Sequence, residues 1–484
     1  MSELPEGWTT ATLKDLAGPR GLFTDGDWIL SEHLRSGKDV RLVQLADVGI
    51  GHFLNKSQKF ISQATADDLR VTYLQENDVL ISRMANPLAR ACLFPRLEQP
   101  SITAVDVAIV RCDESVALPT FMMNLCNTHY VLNQAEAVAV GTTRKRISRR
   151  NLEQIMVPLA PLNEQRRIVA KLEKLLSRVD AAQTRLATIP RILKRFRQSV
   201  LAAACSGRLT ADWREEHPCP ANENTNGDSP HELPESWSLR PFMSVSREIT
   251  VGYVGPMAKE YVSSGVPFLR SLNVRPFRFD PTNIKFISAD FHRTILKSRL
   301  SPGDVAIVRS GNSGIACVVP ESLPEANCSD LVILRPSSEL DAGYACLFMN
   351  SAAAQAHVNS VKVGIAQGHF NVGSMKTTLI PLPPLTEQQE IVRRVESLFK
   401  TADALEAGYH KAKAHVDNLT QSILAKAFRG ELVPQDPHDE PASVLLKRIR
   451  EGGSKQQKTA SIGKRKAKNG VNSRKHEKQE LLHS

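Results

Sequence analysis

Beyond Pro161 the apolar positions settle into a strict rhythm. They fall at Ile168, Leu172, Leu175, Val179, Ala182, Leu186, Ile189, Leu193, Phe196, Val200 and Ala203, alternately 4 and 3 residues apart. That spacing is the seam of a coiled-coil helix. Ile391, Val395, Leu398, Ala402, Leu405, Tyr409, Ala412, Val416, Leu419 and Ile423 repeat it 223 residues later. Glu164 and Glu387 stand in the first turns, where negative charge suits the helix dipole. Gly207 and Gly430 are natural C-terminal stops. From 168 to 203 a helix spans roughly 54 Å at 1.5 Å per residue, and Pro190 is expected to kink it. Such a seam needs a partner. The simplest partner for each helix is the other, antiparallel within one chain, with a head at each end of a dumbbell. An intermolecular dimer is the alternative.

The rest of the pattern is shorter-ranged. Val40–Val48, Asp78–Ser82, Ala104–Arg111, Val266–Val274, Asp304–Val308 and Leu331–Leu334 read as strands, each bounded by Gly, Pro, Asn or Asp. Helical stretches are expected around Pro119–Ala137 and Ala342–Val358. Each half of the chain is therefore a mixed α/β head followed by a long helix.

The halves are copies. Leu4-Pro5-Glu6-Gly7-Trp8 returns as Leu233-Pro234-Glu235-Ser236-Trp237, and the strand from Asp78 to Arg83 returns at Asp304 to Arg309. PLAPLNEQRRIV from Pro158 matches PLPPLTEQQEIV from Pro381, within 12 identities over the 25 positions from Pro158 to Ala182. The heads match loosely, with drifting offsets that imply loop insertions. One part of each copy is thus uniform and the other varied.

Composition refines this picture. At 484 residues, 42% of them apolar, the chain can fill several cores. It has no run of 18 apolar residues and does not open like a signal peptide, so a cytoplasmic protein is expected. The eight cysteines form no CxxC pair and read as free thiols. His52, His129, His292 and His369 have no metal-ligand spacing. The net charge of +11 suggests an anionic partner. Yet Pro441–Ser484 holds 12 Lys/Arg against 3 Asp/Glu, a net +9, leaving +2 for the other 440 residues. Any contact of the body with nucleic acid must rest on local placement.

Two loops in each head have that placement. Ahead of PLAPL lies Gly141-Thr142-Thr143-Arg144-Lys145-Arg146-Ile147-Ser148-Arg149-Arg150, with five basic residues in the seven positions from Arg144. Ahead of PLPPL lies Gly364–Asn371 with Gln367 and His369, and Lys362 just before it. Arg and Lys neutralise phosphates, and Arg can also grip guanine in the major groove. The second pair of loops follows the repeated strand: Arg83, Asn86 and Arg90 in one head, Arg309, Asn312 and Ser313 in the other. Gln44, Arg270 and Asn273 precede them. Asn and Gln can pair with adenine edges. A solvated charge run or an ordinary surface residue is the plain alternative at every one of these positions. There is no P-loop. Asn86-Pro87-Leu88 lacks the second proline and the aromatic residue of an adenine-methyltransferase motif. These features favour a binding protein over a catalyst.

With LPEGW at Leu4, PLAPLNEQ at Pro158, PLPPLTEQ at Pro381, ILKRFRQSVL at Ile192 and NLTQSILAKAFRGEL at Asn418, the chain resembles the specificity (S) subunits of type I restriction–modification enzymes. It is most similar to the K-type enterobacterial group. The resemblance implies an α+β fold: two mixed α/β target-recognition domains separated by two long antiparallel coiled-coil helices, with a pseudo-twofold internal repeat. The expected domains are a first target-recognition domain at 1–157, a first spacer helix at 158–210 and a linker at 211–232. A second target-recognition domain at 233–380, a second spacer helix at 381–434 and a basic, disordered tail at 435–484 follow. The resemblance further implies a non-catalytic subunit binding double-stranded DNA. Each head would read one half of a bipartite, asymmetric target, and the helices would set the spacer. Two methyltransferase (M) subunits and up to two motor-nuclease (R) subunits would join it. S-adenosylmethionine, ATP and Mg would belong to those partners, with no cofactor or metal in this chain. A free-standing methyltransferase with fused recognition domains, and a coiled-coil scaffold without DNA specificity, are the competing readings.

Overall fold

The structure is a computed structural model that describes residues 4–35, 37, 39–84, 87–142, 144–220, 233–362 and 370–451. Two long helices dominate, Leu162–Cys205 and Leu385–Phe428. The first continues through Pro190, so the expected kink does not end it. Contacts divide the chain into two units: Met1–Arg185 with the chain from Lys413 onward, and Leu186–Ala412.

In the first unit the start of the first long helix packs against the end of the second. Ile168, Leu172 and Val179 share a core with Ile423, Leu424, Ala427 and Phe428. In the second unit the order is reversed, with Val200, Leu201 and Ala204 against Ile391 and Val395. Arg197 reinforces that pairing through Asp403 and Glu406, at 2.6 and 2.8 Å. The seams thus find their partners within the chain, antiparallel. Burial is uneven along them: Phe196 is 37% exposed and Leu405 59%, so Leu405 falls outside the seam its spacing suggested.

The head in the first unit contains two small sheets. One is antiparallel, in the order Leu22–Asp25, Val107–Arg111, Val79–Ser82, Ala91–Leu93. The other runs Leu34–Arg35, Lys59–Ile61, Val40–Val43, Ser101–Thr103, its last pair parallel. The head in the second unit repeats both. Its first sheet is Ser246–Val251, Leu331–Pro336, Val305–Val308, Ala316–Val318. Its second again has one parallel pair, Val266–Leu269 with Ala326–Cys328. Val79–Ser82 and Val305–Val308 are buried throughout, which is why these strands read as unbroken apolar runs. The predicted helical stretches each split in two: Pro119–Cys126 and His129–Ala137, then Ala342–Met349 and Ala352–Lys362. Asn127 and Asn350 sit at the breaks and tie the backbone of Ala91 and Ala316 through their side-chain amides.

A ribbon closes each head onto its long helix. Thr9–Thr12 pairs with Met156–Leu159, and Ser238–Pro241 with Leu379–Leu382. The strand Met156–Leu159 crosses the boundary expected at 157. The expected tail is also corrected at its start. Residues 442–451 are helical, and Ala442, Leu445, Leu446 and Ile449 are buried in the first unit's core. The Ala442 amide donates to the Gly7 carbonyl at 2.8 Å. Four apolar side chains on one helical face outweigh the basic composition there.

Candidate nucleic-acid interface

The repeated motifs build one joint, used twice. The indole N–H of Trp8 donates to Glu164 Oε2 at 2.9 Å, and Trp237 does the same to Glu387 at 2.9 Å. Both carboxylates are buried. Burial raises the pKa of Glu164, while hydrogen bonds from Trp8 and Gln435 and the charge of Arg167 oppose the rise. Glu387 also accepts from Thr210 at 2.6 Å and pairs with Arg214. The neighbouring glutamines hold the heads. Gln165 donates to the carbonyls of Val116 and Ala160 and accepts from the Leu118 amide. Gln388 repeats this with Glu339, Pro383 and Asp341. This is the physical content of the PLxPLxEQ repeat: a carboxylate for the tryptophan, an amide for the head.

On this frame the first basic loop is a closed hairpin. Val140 and Arg146 exchange backbone hydrogen bonds at 3.0 and 2.9 Å. Gly141 has φ +101°, and a Cβ there would lie 2.8 Å from the Arg144 carbonyl oxygen. Ile147 is buried and anchors the loop by donating its amide to the Arg83 carbonyl at 3.0 Å. Thr142, Arg144 and Lys145 are exposed at the tip. Lys145 pairs with Glu136, and Arg146 lies 3.4 Å from Asp106. Arg149 reaches Glu153 at 3.4 Å, and Arg150 is exposed. Thr143 falls outside the described residues, as do Asn86, Gln367 and His369; for Lys362 the backbone alone is described.

The second set of candidates divides. Arg83 is 6% exposed and donates to the carbonyls of Ile147 and Val105, with an ion pair to Asp25. Burial lowers its pKa, an effect Asp25 opposes. Arg90 spans the head from Val48 to Leu45, also with its pKa lowered by burial. Asn273 is fully buried and caps its turn by accepting from the Arg270 amide at 3.1 Å. It also donates to the carbonyls of Asp280 and Thr282. The polar atoms of these three candidates hold the heads together, since a buried donor must find an acceptor. Arg270 is half-committed, donating to the Asn283 carbonyl at 2.8 Å. Gln44 and Arg309 are partly buried beside the same loops, Asn312 is exposed, and Ser313 is buried and donates to the Arg309 carbonyl.

Sequence reasoning missed Asp47, the counterpart of Asn273. It is fully buried and accepts from the amides of Gln44, Lys56 and Ser57. Its signal was position, three residues beyond Gln44, as Asn273 follows Arg270. Among the described residues, no three His, Cys, Asp or Glu side chains converge as metal ligands would. All eight cysteines are free. No helix among the described residues is long and apolar enough to cross a membrane.

Comparison with known proteins places this architecture. A family profile described as the type I restriction modification DNA specificity domain matches residues 5–191 and 301–412. The EcoBI specificity subunit of Escherichia coli is 33% identical over 346 residues, 69% of this chain and 71% of that protein. The EcoKI specificity subunit of Escherichia coli K12 is 32% identical over 370 residues, 73% of this chain and 74% of that one. The StySPI specificity subunit of Salmonella potsdam is 27% identical, covering 93% of this chain and 96% of its own length. In fold, a solved HsdS subunit from Thermoanaerobacter tengcongensis superposes with a TM-score of 0.57 at 22% identity. That match covers 89% of this chain and 98% of the HsdS subunit. A chain from a structural study of type I R-M assembly reaches 0.65 at 21% identity, covering 89% of this chain and all of its own. The twice-built joint, the paired heads and these relatives agree: the chain belongs to the type I restriction–modification DNA specificity family, whose named members are the recognition subunits of these enzymes.

Proposed function

We propose that this chain is the subunit that reads DNA sequence for a type I restriction–modification complex, directing both methylation and cleavage without catalysing either. Each head reads one half of a bipartite double-stranded target. Phosphate contacts hold each head in register, and a few contacts to base edges set the sequence. The paired helices set the unread gap and dock two methyltransferase subunits, with up to two motor-nuclease subunits joining them. S-adenosylmethionine, ATP and Mg belong to those partners.

The observation that carries this reading is the contrast within the repeat. The Trp–Glu and Gln joints recur atom for atom, while the heads on them carry different polar side chains at the same places. Identical joints suit one kind of partner met twice, and differing heads suit two different half-sites.

The test is to co-express the chain with its methyltransferase subunit and map methylated adenines across a genome. A single bipartite motif with a fixed gap is expected. An assembled complex that marks no motif refutes the role. In the same assay, replacing Arg144 and Arg146 with alanine should weaken one half-site alone, because both lie on the first head's loop.

A further inference from the structure

We infer that the second head holds a base-reading cleft, opened where an isoleucine replaces an arginine, that takes the amino-bearing edge of a DNA base. The inference rests on the DNA-reading role proposed above.

The two heads share a hydrogen-bond pattern around this point, with the loop one residue shorter in the second. In the first head the Ser82 amide donates to the Arg90 carbonyl and the Ala89 amide to the Ser82 carbonyl, both at 2.9 Å. In the second, Val308 donates to Ile315 and Gly314 to Val308, both at 2.8 Å. The short turns beside them, Leu45–Asp47 and Ser271–Asn273, are capped in the same way. Ile315 therefore stands where Arg90 stands.

The Arg90 guanidinium is a plug. It donates to the carbonyls of Leu45 at 3.0 Å, Val48 at 2.8 Å and Pro87 at 3.2 Å, and to Ser82 Oγ at 3.3 Å. The corresponding residues in the second head are Ser271, Val274, Asn312 and Val308. All four line one open cleft of about 580 Å³, with Ile315 in its wall. An isoleucine brings no donor, while each backbone carbonyl can accept two hydrogen bonds. Three of the arginine's four acceptors, the backbone carbonyls, thus have counterparts at Ser271, Val274 and Asn312, while Val308 lacks the Ser82 hydroxyl and the donors are gone.

A ring of acceptors selects a planar group rich in donors. On the major-groove face of DNA, adenine N6 and cytosine N4 carry amino groups, whereas guanine presents only acceptors at N7 and O6. Among the polar groups of the rim, which include Arg275 paired with Asp280, two amides supply the complementary chemistry. Asn312 and Asn359 are exposed at the cleft, and a side-chain amide pairs with adenine through N6 and N7. In the first head the Arg90 guanidinium itself occupies the ring. The two heads then read different words partly because one of them has filled this slot with itself.

The test is Ile315→Arg in the full chain, assembled with its methyltransferase subunit. The new guanidinium should take the three carbonyl bonds that Arg90 makes, so the melting temperature should not fall. Methylation at the native motif should drop about tenfold or more, the worth of one good base contact. The loss should map to an adenine or cytosine position of one half-site. Asn359→Ala, at an exposed helical position, guards against misfolding and should relax the same position. If both variants assemble and mark the native motif at the wild-type rate, the cleft reads no base. A wild-type complex that marks no bipartite motif instead overturns the DNA-reading role, and this inference with it.

Discussion

Replacing Trp8 with phenylalanine tests the joint between the first head and its helix. The indole N–H is 2.9 Å from Glu164 Oε2, and the carboxylate is almost wholly buried. Its other oxygen accepts only a longer bond from Gln435 among the contacts seen, at 3.2 Å. A hydrogen bond to a charged group is worth about 1.5–3 kcal/mol, and leaving a buried carboxylate short of a donor costs that amount. Shrinking the ring inside a packed site adds about 1 kcal/mol. The expected loss is about 2.5–4 kcal/mol, read by urea denaturation with far-UV circular dichroism. A double-mutant cycle with Glu164→Gln separates the two parts and should return a coupling of about 1.5–3 kcal/mol. The loss should also depend on pH. Burial already raises the pKa of Glu164, and the Trp8 bond opposes that rise by favouring the ionised form. The bond's contribution is therefore full at neutral pH and shrinks as pH falls through the raised folded value. A coupling below about 0.5 kcal/mol, or a deficit equal at neutral and acid pH, would refute this account of the joint. The same change at Trp237 should cost less, because Glu387 keeps Thr210 and Arg214.

Two further outcomes follow from other contacts. Gly430→Ala places a Cβ 2.2 Å from Pro5 Cγ at a φ of +75°. Left-handed strain of about 1–2 kcal/mol and overpacking of about 1–3 kcal/mol should together destabilise the first unit, seen as a lower urea midpoint. An unchanged midpoint would mean the LPEGW segment does not need that close approach. In the second unit, Arg393 first and Arg394 next pull the Glu390 pKa from its ordinary 4.5 to about 2. A depressed carboxyl pKa contributes stability above the unfolded value that is lost as pH falls through the folded one. Glu390→Gln should thus lower stability near neutral pH, with the difference from wild type closing between about 4.5 and 2. An acid titration followed by circular dichroism checks it, and a gap constant with pH would count against the ion pairs.

What the sequence made legible was whatever repeats locally. The 4-and-3 rhythm located both long helices, because a buried stripe on a helix leaves a periodic record. The strands around Asp78 and Asp304 were legible as apolar runs between turn residues. Two things stayed hidden. A polar side chain's type does not reveal whether distant chain will close over it. Arg83 was indistinguishable from a surface arginine until Asp25 and Ile147, far off in sequence, packed against it. Asn273 likewise caps a turn from a buried position that its residue type alone does not show. Net charge also masked the helix at 442–451, where Ala442, Leu445, Leu446 and Ile449 make one apolar face. The joint itself was half-legible. The recurrence of Trp8 with Glu164 and of Trp237 with Glu387 marked the residues, and only the fold paired them.

The uneven similarity of the two copies has a physical cause at the level of single residues. A residue in the joint is constrained by partners in its own chain. Trp8 needs Glu164, Gln165 needs the carbonyls of Val116 and Ala160, and Gly430 must clear Pro5. Changing any one leaves a buried polar group unpaired or an overlap, so copies of the joint cannot drift far apart. The ring around Arg90 is built differently. Three of its four acceptors are backbone carbonyls, which no substitution removes, so the side chain in its centre is free to change. With arginine the ring satisfies itself, and with Ile315 it is left facing a cleft. One substitution in such a place alters what a head presents without disturbing the sheet beneath it. The head can therefore diverge by exchanging self-satisfied polar sites for open ones, while the helices and joints that carry it stay the same.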